Sequence, residues 1–85
     1  MKEKEEKQIG EVSNYFKHVN VAAIKLSKPL KVGDKIKIKR GEKEIEVEVE
    51  SMEIDRKKIE KAKAGDEIGL LVPEEVHRGN KVYKI

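Results

Sequence analysis

The side chains able to act as nucleophile, base or soft metal ligand are few in this sequence: Ser13, Ser27 and Ser51, His18 and His77, with no cysteine among 85 residues. Disulfides, thiolate metal sites and cysteine nucleophiles are therefore excluded. Each histidine sits beside a basic residue, Lys17 or Arg78, in a segment that reads as a loop, and their spacing matches no zinc site. The serines stand in no nucleophile-elbow pattern, and nothing matches a Walker loop or a dinucleotide fingerprint. Carboxylates such as Glu46 and Glu48 fall on exposed strand faces, where water and lysines keep them ordinary. The sequence reads as a binding or structural protein and not an enzyme, with no cofactor, metal or nucleotide expected.

Charge is the remaining chemistry. Charged residues make up 44% of the chain, yet 20 basic and 17 acidic groups leave a net charge of only +3, too balanced to signal nucleic-acid binding by itself. Once the lysines of 35–39 are set against acidic partners, uncompensated positive charge is left in three places. These are Lys17, His18, Lys25, Lys28 and Lys31; then Arg56, Lys57, Lys58, Lys61 and Lys63; then His77, Arg78, Lys81 and Lys84. Tyr15, Phe16 and Tyr83 are the aromatics that could stack on a base. Phe16 is expected in the core and the tyrosines at a rim. The dominance of Lys and Glu, with no Cys or Thr and one Gln, is the composition of a heat-stable protein that relies on ion pairs.

These residues must be carried by a single small domain, since so short a chain cannot be divided into two cores. Hydrophobic residues are 36% and aromatics 4%, so the core must be aliphatic, built mainly from Ile and Val. Residues 1–7 read as a charged leader and residues 8–85 as the folded domain. The start has no apolar h-region, and no run approaches the roughly 20 apolar residues of a membrane span. A cytoplasmic monomer with no membrane partner is the expectation. From Gln8 onward, short alternating apolar runs separated by Gly, Pro, Asn and Asp predict an all-β sandwich or barrel. The expected strands are 8–16, 21–26, 35–39, 44–54, 67–72 and 81–85, with Pro29 and Pro73 in the gaps, where a missing backbone donor is harmless.

Two strictly alternating runs, KIKIK and EIEVEVE, flank Arg40-Gly41-Glu42. A two-residue type II′ turn at Gly41-Glu42 would set Ile38 against Ile45 and Ile36 against Val47 on the core side. The opposite face would then pair Lys39 with Glu44, Lys37 with Glu46 and Lys35 with Glu48. The apolar phase slips by one residue between Ile9 and Val12 and between Val49 and Met52, which predicts β-bulges near Gly10-Glu11 and Glu50-Ser51. Residues 55–64 read as a loop with a short helical or 3₁₀ turn. Finally, KVGDKIKI at 31–38 echoes KAGDEIGL at 63–70, with Gly79-Asn80-Lys81-Val82 a weaker third copy. Each reads as the approach to a strand, with Gly at positive φ and Asp or Asn bracing the turn.

From Ile9 to Ile85 the order of these features resembles the second domain of translational GTPases such as elongation factor Tu. Gly10-Glu11-Val12 matches that family's opening Gly-x-Val element, Lys31-Val32-Gly33-Asp34 its KVGD element, and Arg78-Gly79 its closing Arg-Gly. The segment SMEIDRKKIEKAKAGDEIGL at 51–70 resembles the Glu-x-x-Arg-Lys and Ala-Gly-x-x-x-Gly stretch. The chain is also similar to small stand-alone elongation-factor-like proteins and, more distantly, to the barrel appended to collagenase-like peptidases. The resemblance implies a closed six-stranded Greek-key barrel of the translation-factor domain 2 type, with Glu53 and Arg56 at the positions that help hold the aminoacyl end of transfer RNA. Two functions from different classes follow. The first is a translation-associated module binding tRNA, rRNA or the ribosome through a basic rim of Lys17, His18, Lys57, Lys58, Arg78 and Lys81 beside Glu53 and Arg56. The second is a protein adaptor docking on an enzyme or translation factor through a barrel edge, the 55–64 loop, or an exposed apolar patch involving Leu30, Leu71 and Val76.

Overall fold

The computed structural model describes residues 7–85, so the leader expected at 1–7 lies outside the described residues except for Lys7, which opens the first strand. Ten strands and no helix follow: β1 (Lys7–Phe16), β2 (Val21–Leu26), β3 (Leu30–Lys31), β4 (Lys35–Arg40), β5 (Lys43–Glu48), β6 (Met52–Ile54), β7 (Lys57–Ile59), β8 (Lys61–Ala62), β9 (Glu67–Leu71) and β10 (Lys81–Lys84). Eight of them form one antiparallel sheet in the order β5-β4-β10-β1-β2-β9-β6-β7, and β3 pairs with β8 apart from it. β5 and β6 stand at or near opposite ends of that order, although only residues 49–51 separate them in the chain.

Alternation sends one face of each long strand inward. Ile9, Val12, Ile24, Leu26, Ile36, Ile38, Ile45, Ile68, Leu70 and Val82 meet in one aliphatic cluster with Leu30, Val49, Met52 and Val76 from the connections and short strands. Each such side chain gains roughly 1.5–3 kcal/mol on burial, which is how a chain so rich in charge holds a fold. The β4–β5 register is the expected one, Lys35 to Glu48 through Lys39 to Glu44, and Gly41 turns the hairpin at φ 61. The charges on its outer face do not pair one to one, however. Glu44 takes both Lys37, at 3.3 Å, and Lys39, at 4.0 Å, and the Lys39 ammonium also lies 4.9 Å from the centre of the Tyr83 ring.

The three echoed segments are one turn used three times. Gly33, Gly65 and Gly79 adopt φ 102, 96 and 94, as the third residue of a type II turn must. The side chain of Asp34 accepts from the Lys31 amide, that of Asp66 from Lys63 and that of Asn80 from His77, at 3.1, 2.9 and 2.8 Å. Each turn then clasps a distant backbone reciprocally. The amides of Gly33, Gly65 and Gly79 donate to the carbonyls of Val49, Leu26 and Val12. Those three residues return their own amides to the carbonyls of Asp34, Asp66 and Asn80, every bond being 2.8 or 2.9 Å.

The differences from expectation have local causes. The slip between Ile9 and Val12 comes from a register shift between Gln8 and Gly10, and a second shift lies between Val12 and Asn14. At 49–51 the expected single strand is interrupted instead of bulged, because the Val49 amide turns to the carbonyl of Asp34 and its carbonyl accepts from Gly33. Residues 55–64 hold no helical turn: β6 and β7 form a tight hairpin across Asp55 and Arg56, at φ 53 and 67, pairing Ile54 with Lys57. The ends of the described chain are neighbours, since Lys7 of β1 is opposite Lys84 of β10.

Candidate functional site

The outward face of β1, β2 and β9 collects the accessible chemistry. A bulge at Ser13 reverses the parity of β1, so that Tyr15 turns towards the core and Phe16 turns out, although Phe16 has the parity of buried Val12. Phe16 is therefore not the core residue expected. It lies opposite Val21, which lies opposite Leu71, forming an apolar row across three strands. Phe16 is 41% exposed and Leu71 59%, and Val19, 47% exposed, projects from the adjoining turn. A lone exposed apolar side chain is ordinary; three exposed ones around half-buried Val21 make a patch.

The patch has two unlike ends. Lys17 and His18 follow Phe16 in the β1–β2 turn. At the other end, Glu48, Glu50 and Ser51 line a hollow of about 80 Å³ beside Leu71, and Glu53 lines another of about 70 Å³ between Val21 and Leu71.

Further along the same face, towards the start of β1, a row of charges crosses six strands in register: Glu67, Lys25, Glu11, Lys81, Lys39 and Glu44. Lys81 reaches Glu11 at 3.6 Å. Beside this row an open groove of about 450 Å³ is lined by Gln8, Gly10, Glu11, Ser13, Lys25 and Arg78 among others. The Ser13 hydroxyl donates to the Glu67 carboxylate and lies 3.2 Å from the carbonyl of Ala23, tying β1 to β2 and β9. Among the described residues no group of His, Asp and Glu is arranged to hold a metal ion. No helix among them is long and apolar enough to cross a membrane.

The residues expected to form one basic rim are in three places. Lys17 and His18 flank the apolar patch. Glu53 and Lys58 are opposed in the β6–β7 hairpin, with Arg56 in its turn and Lys57 beside it. Arg78 lines the groove, and Lys81 belongs to the charge row. Of the apolar patch expected from Leu30, Leu71 and Val76, only Leu71 is exposed, because Leu30 and Val76 are in the core. What sequence reasoning missed was the company Leu71 keeps. The signal was the adjacent pair Leu70-Leu71, of which a strand must turn one outward.

The architecture is shared with a domain of known structure. The C-terminal domain of a Geobacillus thermoleovorans protein assigned to the U32 peptidases superposes with a TM-score of 0.86 at 15% identity, over 92% of this chain and 99% of that one. A second crystal structure of that domain gives the same score over 93% and 92%. In sequence, the chain is 40% identical over 77 residues to an uncharacterised protease of Methanocaldococcus jannaschii. That match takes in 89% of this chain but 19% of the relative, so the chain spans about a fifth of the length of the curated protein it resembles. No protein-family model matches the chain.

These findings overturn the resemblance to elongation-factor domains and, with it, the translation and RNA-binding reading. The reason is physical. The glycine motifs that carried much of the resemblance are backbone requirements of the fold: Gly10 stands where β1 crowds the backbone of β2, and KVGD, KAGD and RGN belong to the three equivalent turns. Such elements report architecture and not ligand. The comparisons agree instead with the fainter resemblance, to a domain found in peptidases.

Proposed function

We propose that this chain is a non-catalytic accessory domain that works beside a peptidase-class catalytic domain, docking on it and contributing no reacting group. The observation that carries this reading is the alignment: nearly all of this chain corresponds to a fifth of a protein described as a protease, and the same fold exists as the C-terminal domain of another. The lack of any nucleophile-base arrangement in the sequence supports it. We also read the sheet as the closed six-stranded Greek-key barrel expected from the sequence. Support comes from β5 and β6, halves of one interrupted strand that pair with β4 and β9 at opposite ends of the strand order. The Val32 amide, which donates to the carbonyl of Glu60 at 2.9 Å, adds a further tie.

We assign the docking contact to the groove beside Arg78, whose 450 Å³ lies within the roughly 300–1,000 Å³ of pockets that hold compact ligands or a few side chains. The test is calorimetric titration of the chain into the Methanocaldococcus protease, using a form that lacks the matching segment and still melts cooperatively. Saturable binding that is lost with Arg78→Glu is the expected result, together with no hydrolysis of generic protein substrates by the chain alone. No heat at concentrations up to about 100 μM, where a micromolar contact would saturate, would sink the proposal.

A further inference from the structure

The apolar patch lies away from that groove. We propose that Phe16, Val21 and Leu71 form the interface of a two-fold dimer of this chain, in place of the monomer expected from the sequence. The argument is the patch's polarity. It runs from Lys17 and His18 through Phe16, Val21 and Leu71 to Glu50, crossing three neighbouring strands over roughly 10 Å, whereas Glu53 is opposed by Lys58. A surface that is basic at one end, apolar in the middle and acidic at the other is complementary to itself when turned through 180°.

A two-fold axis through Val21 lays Phe16 of each copy over Leu71 of the other and brings Lys17 opposite Glu50. That is the isologous contact a closed dimer requires. A uniformly acidic or basic partner would satisfy one end of the patch and oppose the other. Four apolar side chains with a charged rim make a small interface, below about 1,200 Å² in total, so association belongs in the high-micromolar range. The proposal does not depend on the peptidase-linked reading. Arg78→Glu addresses the groove, and Leu71→Glu addresses the dimer.

Sedimentation equilibrium of the whole 85-residue chain, from about 10 μM to 1 mM, reads the result directly. The weight-average mass of the wild-type chain should climb with concentration to about one and a half times the monomer or more at the upper end, and Leu71→Glu should hold it at one. Lys17→Glu and Glu50→Lys should each weaken self-association at least about tenfold. An equimolar mixture of the two variants should recover it, because every charged contact in the mixed dimer is again between opposite signs. All three positions are exposed, so melting temperatures should stay close to wild type and separate lost association from lost folding. A wild-type chain that remains monomeric at the highest concentration would overturn the proposal. So would an associating Leu71→Glu, or a mixture that fails to recover the dimer.

Discussion

At Gly10, β1 passes so close to β2 that a Cβ would stand 2.7 Å from the carbonyl oxygen of Lys25 and 3.1 Å from Cγ2 of Ile24. The obstacle is backbone and cannot swing aside, so Gly10→Ala should cost about 2–3 kcal/mol through overpacking. Alanine at Gly33, Gly65 or Gly79 meets nothing within 4 Å, and the penalty there is conformational alone. Each should cost about 1–2 kcal/mol, alike at the three sites, for holding an L residue at positive φ. Urea unfolding of the four variants separates the two causes.

The bracing side chain of each repeated turn is interchangeable between Asp and Asn, since Asn80 makes the bond that Asp34 and Asp66 make elsewhere. Asp66→Asn should therefore be near neutral. Asp66→Ala should lose about 1 kcal/mol, the net worth of one hydrogen bond. Equal losses in the two variants would show that charge, and not the bond, holds the turn.

The β6–β7 hairpin turns on two non-glycine residues at positive φ, Asp55 and Arg56. A type I′ turn favours Gly at its second central place, so Arg56→Gly should stabilise the chain by about 1 kcal/mol. Thermal melts would read this as a higher midpoint. An unchanged or lower midpoint would mean that the Arg56 side chain supplies compensating contacts.

Acid should act through Glu74. Its hydrogen bond and charge pairing with Lys43, at 2.7 Å, hold the carboxyl below its usual range, with Arg40 adding a smaller pull. A depressed carboxylate favours the folded state above its unfolded pKa, and that contribution fades as pH falls through the folded value. The stability gap between the wild-type chain and Glu74→Gln should be small at neutral pH, because the pair is exposed, and should vanish in acid. A gap that widens as pH falls would contradict this.

Much of the fold was legible because its devices are local. The β4–β5 register followed from alternation together with a two-residue turn at Gly41-Glu42, and the three glycine turns from the echoed segments. The β6–β7 hairpin escaped notice because Asp-Arg is not a customary I′ pair and because Lys57-Lys58-Ile59 has no alternating pattern. The apolar patch escaped for a deeper reason. Whether Phe16 faces in or out depends on one inserted residue at Ser13, and Leu71 joins it only through β2, so a long-range pairing decides the surface. The basic rim failed on the same ground, since nothing within Lys17, Arg56 or Arg78 says which strands lie between them.

The pairing of Lys7 with Lys84 gives the domain a directional plan. Both ends of the described chain leave at one pole, near the groove to which Gln8 contributes, whereas Phe16 closes β1 nine residues later, roughly 30 Å away at the pitch of a strand. A partner seated in the groove would occupy that pole and leave the apolar pole uncovered. Two copies joined through Leu71 would then carry their grooves at the far ends.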